Sequence, residues 1–234
     1  MLFLSNQTRR PFWASGAGDE WDAQYNIGTS AGFEGTAPRY NPRHHIKALR
    51  LLLSATKKSP LLKKSRSLAV DVVDAITALM ANEYIVLKQQ LDIAALGVSP
   101  SAAAIETVTQ KMALNILETD QLLGSNDNFL LGKWVADARR FGQTDNERRL
   151  LEFNARNQVT LWGPASLISG KNGMTPGSPQ DYAGKSWQGL YADFYLPRQQ
   201  LLFDMLADAA RLASDSQQAI DFTQLGLNFT LASL

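Results

Sequence analysis

The sequence of 234 residues contains no cysteine and only two histidines. Without cysteine, the chain has no disulfide framework, no thiolate nucleophile and no cysteine-based zinc site. His44 and His45 are adjacent, so on a helix their side chains point about 100° apart, whereas two-histidine zinc motifs place the ligands four residues apart. The sequence therefore predicts no metal site and no cofactor.

Neither sign of charge is in excess, and no apolar run is long. Lys and Arg total 23 against 22 Asp and Glu, which leaves a net charge of +1. A nucleic-acid-binding domain would show a basic excess, so no nucleic-acid partner is expected. Apolar runs such as residues 51–53 fall far short of the roughly 20 residues that span a bilayer, so no membrane association is expected.

The sequence leaves the cellular location open. Residues 1–4 are apolar but too few for the core of a secretory signal, and polar residues follow at once. Asn6 and Asn228 each begin an N-glycosylation sequon, which would suit a secreted, lysosomal or vacuolar protein. About one such triplet is expected by chance in a chain of this length.

Residues 1–40 differ from the rest of the chain. They carry Trp13, Trp21, Tyr25 and several glycines, but no sustained period of 2 or 3.6. Large aromatic side chains favour an ordered segment, because they gain much from being buried. We expect an irregular N-terminal segment that packs on the remainder of this chain or on a domain outside it.

From residue 41 to residue 234 the apolar spacing and the start and stop residues are helical, and no run of strands is evident. The fold class predicted is all-α, a bundle of about seven or eight helices. The basic stretch Lys57–Arg66 is interpreted as a solvated linker. The first predicted helix is opened by Asn41 and Pro42, with Ile46, Leu49 and Leu53 on one face. The next three run from about Ser67 to Leu96, from Ser99 and Pro100 to near Gly124, and from Asp127 to Gly142. The last three run from the Thr144–Glu147 capping box to about Leu161, from Asp181 through Trp187, Leu190 and Phe194, and from Pro197 onward.

Common enzyme motifs are missing or lie outside their usual context. The G-x-S-x-G pattern at residues 28–32 falls in the irregular segment 1–40 and not between a predicted strand and a helix, and the sequence has no G-x-G-x-x-G after a strand and no G-x-x-x-x-G-K-[ST] phosphate loop. Most of the 22 acidic residues fall on helix faces opposite the apolar stripe, where carboxylates stay solvated. A glycosidase acid needs a desolvated carboxyl group in a pocket, and the sequence points to none.

Residues 154–164 are the most informative stretch. Asn154, Asn157, Gln158 and Leu161 lie on one side of a helix that leads to Trp162. One interpretation is an internal amide network that ties helices together, since buried amides need hydrogen-bond partners. The other is that the helix end presents Trp162 to a ligand, because indole faces stack well on sugar rings.

Several segments, in this order, point to one known family. They are residues 39–41 (RYN), 48–53 (ALRLLL), 129–134 (FLLGKW), 160–164 (TLWGP), 181–183 (DYA) followed by Lys185, 187–190 (WQGL) and 195–198 (YLPR). Over residues 35–212 the chain resembles the C-terminal domain of the α-N-acetylglucosaminidases of glycoside hydrolase family 89. It departs from the family pattern between Trp162 and Tyr182, where residues 166–180 form a longer insert rich in Gly, Pro and Ser.

The resemblance implies a modular enzyme that removes terminal α-linked N-acetylglucosamine with two glutamates supplied by a (β/α)₈ barrel. Such a barrel needs about 250 residues, more than this sequence holds. We therefore expect the chain to be the helical portion, with no hydrolytic activity alone, and to have the barrel and an α-N-acetylglucosamine-terminated glycan as partners. No catalytic residue is assigned to it. By motif position, Trp162 and Tyr182 are the expected substrate-binding residues.

Two other functions stay open at this stage. A free-standing helical module that binds carbohydrate or protein would show a polar surface, whereas a domain from a larger enzyme would expose large apolar residues. A complete enzyme in this chain alone is the weaker alternative, because no acid pair is evident.

Overall fold

The structure is a computed structural model, and it describes residues 42–96, 100–160 and 185–216. Within these ranges it is all-α, as the sequence predicts, with seven α-helices and no strand. The elements in order are α1 (Pro42–Lys58), α2 (Pro60–Lys63), α3 (Arg66–Leu96), α4 (Ala102–Leu123), a 3-10 turn (Asp127–Phe129), α5 (Leu131–Arg140), α6 (Asp145–Gln158), a π-helical turn (Tyr191–Tyr195) and α7 (Leu196–Ser216).

The core lies between the three long helices α3, α4 and α7, which pack side by side in the order α3, α4, α7. Each contributes a row of side chains that are almost wholly removed from solvent. Fully burying one large apolar side chain stabilises a fold by roughly 1.5–3 kcal/mol, so this cluster is the main source of stability. The largest fully buried side chains on these helices are Leu91, Ile105, Met112, Ile116, Leu123, Leu202, Phe203 and Leu206. Leu190, Tyr191 and Tyr195, just before α7, are equally buried.

Helix α1 lies at the periphery, against α3 and α2. Of the predicted face of Ile46, Leu49 and Leu53, only Leu49 is half-buried, and Ile46 and Leu53 are each 37% exposed. The inward side of α1 also contains His45, Leu52 and Thr56, and the helix buries none of its residues fully. The basic stretch after α1 is not only a linker, because it contains α2. Ser59 caps this short helix by accepting a hydrogen bond from the Leu62 N–H (3.4 Å).

Two predicted helix starts are shifted. The helix expected from Ser99 and Pro100 begins at Ala102, because the Ser101 hydroxyl caps it by accepting a bond from the Ala104 N–H (3.3 Å). The helix expected from Asp127 is divided. Asn126 caps a short 3-10 turn, and Leu130 then pairs with a distant segment, so α5 starts only at Leu131.

Helices α5 and α6 form an antiparallel hairpin, and the capping box predicted at its second helix is confirmed. The Glu147 N–H donates to the Thr144 hydroxyl (3.2 Å), and the Glu147 carboxylate accepts from the Thr144 N–H (2.9 Å). Gly142, two residues before Thr144, lies close to the first turns of α6. A Cβ at this position would lie 2.7 Å from the Arg148 backbone nitrogen, so a larger residue would not fit without a shift. The helix ends at Gln158 rather than near Leu161, because 3-10-type bonds tighten its last turn.

The last helical stretch does not begin at Pro197. A five-residue π-helical turn precedes it, in which the Leu196 N–H bonds to the carbonyl of Tyr191, and Pro197 then lies inside a continuous helix. Proline has no N–H to donate and its ring clashes with the carbonyl four residues back, so a wider turn before it relieves the conflict. Among the helices the structure describes, none combines the length and apolarity that crossing a bilayer would require.

Candidate functional site

The two predicted substrate-binding residues, Trp162 and Tyr182, lie outside the described residues, in the segment 161–184. The residues that hold both ends of this segment are described, however. Val159 and Thr160 lead into it from α6, and Lys185 follows it. The candidate site is therefore built here from the base that carries the segment.

The side chain of Trp134 on α5 joins the two ends. Its Nε1–H donates a 3.0 Å hydrogen bond to the carbonyl of Ala155 in the last turns of α6. Its ring also packs on Trp187, with ring centroids 5.8 Å apart. Tilted aromatic pairs at this distance add stability beyond simple burial. One indole thus contacts the helix that enters the segment and the strand-like stretch that leaves it.

Asp120, near the end of α4, fixes the residues that follow Trp187. This buried carboxylate accepts hydrogen bonds from the backbone N–H groups of Gly189 (2.7 Å) and Ala192 (3.2 Å). The Gln188 amide lies within 3.5 Å of it as well. These are unpaired donors at the start of the last helical stretch, so Asp120 acts as its cap from another helix. Gly189 has φ +92°, a conformation that favours glycine.

Main-chain bonds hold the same stretch to the start of α5. The Gln188 N–H donates to the carbonyl of Phe129 (2.7 Å), and the Leu131 N–H donates to the carbonyl of Gln188 (3.2 Å). This parallel bridge between Leu130 and Gln188 is the contact that delays α5. It gives residues 187–190 the fixed position that a functional segment needs.

Lys185 and Ser186, the first described residues after the segment, are tied to two buried tyrosines. The Tyr195 hydroxyl donates to the carbonyl of Lys185 (2.9 Å), and the Ser186 and Tyr191 hydroxyls lie 3.2 Å apart. The two tyrosine rings pack edge to face with centroids 5.2 Å apart. The π-helical turn therefore places both phenols beneath the outgoing end of the segment.

One carboxyl group in the described residues has a pKa that burial raises clearly. Burial raises the pKa of Asp92 to about 6, and the Lys88 ammonium, 3.6 Å away on the preceding turn of α3, offsets part of that rise. A retaining glycosidase needs two carboxyl groups about 5 Å apart, one of them a general acid. Asp92 is instead engaged with a cation, which is the arrangement of a structural ion pair.

A groove of about 410 Å³ between α4 and α7 contains further acids, including Glu106, Asp204 and Asp208. Arg211 forms ion pairs with Glu106 and Asp208 there. The Glu106 and Asp208 side chains are 44% and 70% exposed, so water solvates both carboxylates. In the described ranges no three His, Asp or Glu side chains cluster as metal ligands.

Comparison with known families decides what this scaffold is. The family model of the α-N-acetylglucosaminidase C-terminal domain matches residues 7–231, nearly the whole chain. The chain belongs to the α-N-acetylglucosaminidase C-terminal domain family. The family membership that the sequence motifs imply is thereby confirmed.

The relatives of this α-N-acetylglucosaminidase C-terminal domain are much longer proteins. It is 31% identical over 180 residues to human (Homo sapiens) α-N-acetylglucosaminidase, a match that covers 76% of this chain and 22% of the human protein. A solved family 89 glycoside hydrolase from Clostridium perfringens, in complex with its substrate GlcNAc-α-1,4-galactose, matches with a TM-score of 0.67 at 24% identity, over 89% of this chain and 23% of that one. The same type of enzyme in complex with PUGNAc gives a TM-score of 0.68 at 22% identity, over 90% and 23%.

The amide side chains of this C-terminal domain are not where an internal network would need them. Asn154 and Gln158 are exposed, and Asn157 is half-buried. The buried residue of α6 is Ala155, which is none of these amides. Because Asn154 and Gln158 are exposed, they do not form the internal amide network that one interpretation of the sequence required. Presentation of Trp162 by the helix end stays a prediction.

The sequence motifs named several of the supporting residues, namely Trp134, Lys185, residues 187–190 and Tyr195, but not the contacts that they make. Trp187, assigned to the helix expected from Asp181, lies with Gln188 in an extended stretch, whereas Leu190 is helical. Asp181 itself lies outside the described residues. Asp120 gave no signal, because its partners lie about 70 positions later in the chain.

Proposed function

We propose that this chain is the helical domain of an α-N-acetylglucosaminidase and that it walls the pocket receiving a terminal α-linked N-acetylglucosamine. Residues 41–234 form the helical domain in this proposal, and residues 1–40 pack on it or on the catalytic barrel. Family membership supports the assignment, as does the length of the relatives, of which the chain spans about a fifth. The glycan and the barrel are the proposed partners.

Trp162 and Tyr182 are the proposed contacts with the sugar. An indole covers the apolar face of a pyranose ring, and a phenol hydroxyl can donate to or accept from a sugar hydroxyl. The observation that carries this proposal is the contact of Trp134 with both Ala155 and Trp187. Because one rigid indole holds both ends of the segment 161–184, the segment has a fixed base from which to reach a ligand.

The chemistry is proposed to come from the barrel, which in the resembling family supplies two glutamates. The described residues support this division, since Asp92 is engaged with Lys88 and the acids of the open groove are exposed to water. The exposed apolar side chains favour a domain of a larger enzyme over a free-standing module. Leu150, Phe153 and Leu212 are each more than half exposed.

The test is steady-state kinetics of the complete enzyme with a chromogenic α-N-acetylglucosaminide. We expect Trp162→Ala to lower kcat/KM at least about tenfold, the equivalent of losing one aromatic contact of roughly 1.4 kcal/mol. Tyr182→Phe should lower it by a smaller factor, since it removes one hydrogen bond. Phe141→Ala, an exposed aromatic at the far end of the α5–α6 hairpin, is the matched control. Unchanged kinetics in both site variants would refute the assignment.

A further inference from the structure

Helix α6 carries a stripe without charge on a highly charged helix. Six of its fourteen residues are Asp, Glu or Arg. Five of the six lie on or beside the side of the buried Ala155, and the sixth, Arg149, borders the opposite side, four residues before Phe153. That side, called the α6 stripe below, consists of Asn146, Leu150, Phe153, Asn154 and Asn157.

The large side chains of the α6 stripe face outward. Leu150 is 59% exposed and Phe153 is 61% exposed, and they lie three residues apart, so they are neighbours on the helix surface. Asn146 and Asn154 are also exposed. Single exposed apolar residues are ordinary, but an adjacent Leu and Phe framed by amides make a continuous contact surface.

Five of the six charged residues of α6 are engaged at its edges, and Arg149 borders the α6 stripe. Glu152 pairs with Arg139 of α5 and with Arg156, and Arg148 pairs with Asp145. The Glu147 carboxylate is folded back on the backbone N–H groups of the capping box. An uncharged centre with charged groups at the rim is the composition of a protein–protein interface.

Asn157 at the end of the α6 stripe is half-buried, whereas Asn146, Leu150, Phe153 and Asn154 are exposed. The helix packs on α5 and approaches the core through Ala155 and Val159, and its contacts with α3, α4 and α7 are sparse. The stripe also runs toward residue 160, where the segment that carries Trp162 begins. A body that lies over the stripe would therefore stand beside the proposed substrate-contacting segment.

We infer that the α6 stripe is the surface on which the catalytic domain of the same enzyme docks. The inference rests on the proposed function. The human and bacterial relatives are more than three times as long as this chain, since the matched 76% and 89% of it cover only 22% and 23% of them, so most of the polypeptide in such an enzyme lies outside it. Docking along α6 would bring that polypeptide next to the segment 161–184 and bury Leu150 and Phe153.

Hydroxyl-radical footprinting of side chains tests the inference without changing the protein. Labelling of Leu150 and Phe153 is compared between this chain alone and the complete enzyme. Docking should lower their labelling about fivefold or more, as expected when residues move from an exposed surface to an interface core. The matched control is Leu114 and Leu117 on α4, also three residues apart and 55% and 45% exposed, whose labelling should not change.

A pair of variants gives a second measurement. Leu150→Asp with Phe153→Asp should lower the urea midpoint of the complete enzyme and leave the midpoint of this chain alone unchanged, because both side chains are exposed in the chain by itself. Leu114→Asp with Leu117→Asp should have the same effect in both proteins. The substitutions are at exposed positions, so the folded state tolerates them.

Three results would overturn the inference. Equal labelling of Leu150 and Phe153 in both proteins would show that the α6 stripe stays free in the enzyme. Protection of the α4 pair instead would place the interface elsewhere. Protection already present in this chain at high concentration, with a dimer in sedimentation, would make the occupant a second copy. None of these results touches the kinetics of Trp162→Ala, which test the proposed function separately.

Discussion

The carboxylate of Asp120 on α4 accepts a 2.7 Å hydrogen bond from the backbone N–H of Gly189, 69 residues later in the chain. The same oxygen accepts a second bond from the N–H of Ala192. Asp120 is only 8% exposed, so these N–H groups have little access to water as an alternative partner. The start of the last helix, and with it the outgoing end of the segment 161–184, is thus fixed by one side chain of the core.

Removing that side chain should be costly. Asp120→Ala leaves two backbone donors without a partner, and each unsatisfied buried donor costs about 1–3 kcal/mol, so we expect a loss of roughly 2–4 kcal/mol in the free energy of unfolding. Asp120→Asn keeps an acceptor oxygen and should cost about 1 kcal/mol. Urea denaturation monitored by circular dichroism measures both. Asp74→Ala, at an exposed position of α3, is the control and should change little. Equal stabilities of Asp120→Ala and the parent chain would contradict the capping role.

The Trp134 contact predicts a local effect. Trp134→Phe keeps an aromatic ring near Trp187 but loses the hydrogen bond to the Ala155 carbonyl, so we expect a loss of about 1 kcal/mol. Trp134→Ala removes the ring contact as well and should cost more. Hydrogen exchange should become faster in both variants at residues 155–160 and 187–190, the two flanks that the indole joins. Unchanged exchange at these flanks would show that Trp134 does not hold them together.

How well the sequence predicted the fold depended on the distance between interacting residues. The Thr144–Glu147 capping box was predicted correctly because its hydrogen bonds join residues no more than four positions apart. The Leu130–Gln188 bridge, the Asp120 cap and the π-helical turn before Pro197 depend on partners or packing that local periodicity does not encode. These are also the features that position the candidate site.

Buried amides illustrate the same limit. One of the two interpretations of residues 154–164 was an internal network of Asn154 and its neighbours, but Asn154 and Gln158 are exposed. The buried amides among the described residues include Asn115 on α4, whose Nδ2 donates to the carbonyl of Met80 on α3 (3.2 Å). The packing of whole helices decides which amides are enclosed. The motifs around Trp162 were informative about family, because their order does not depend on packing.

The capping box gives a prediction with a pH dependence. Thr144→Ala should lower the free energy of unfolding by about 1 kcal/mol at pH 7, because the first turn of α6 loses its cap. Hydrogen bonds from the Thr144 and Gln143 N–H groups hold the pKa of Glu147 below its ordinary value. A lowered folded-state pKa adds stability above the ordinary pKa and loses it as the pH falls through the folded value.

The matching experiment compares Glu147→Gln with the parent chain across this range. The stability difference between them should be largest at neutral pH and should shrink as the pH falls below about 4.5. Glu118→Gln, an exposed glutamate on α4, controls for the general effect of removing one negative charge. A difference that stays constant down to pH 3 would mean that Glu147 does not act through its ionised form.

The raised pKa of Asp92 predicts the opposite pH dependence of stability. Burial raises its pKa to about 6, so it contributes stability below the ordinary pKa near 3.8, and this contribution is lost as the pH rises through about 6. Relative to Asp92→Asn, the parent chain should lose roughly 2–3 kcal/mol between pH 4 and pH 7, since one pKa unit corresponds to about 1.36 kcal/mol. Urea denaturation at four pH values checks the slope. A parent chain that gains stability over this interval relative to the variant would reverse the assignment.

The activity of this chain by itself is the most direct test of the proposed division between helical domain and barrel. Hydrolysis of a chromogenic α-N-acetylglucosaminide should be undetectable with the purified chain at high protein concentration, and the complete enzyme should turn the same substrate over at an ordinary enzymatic rate of about 1–1000 per second. That result would agree with a domain that shapes the pocket while the acid and nucleophile lie on other polypeptide. Turnover by the isolated chain at a rate close to that of the complete enzyme would contradict it.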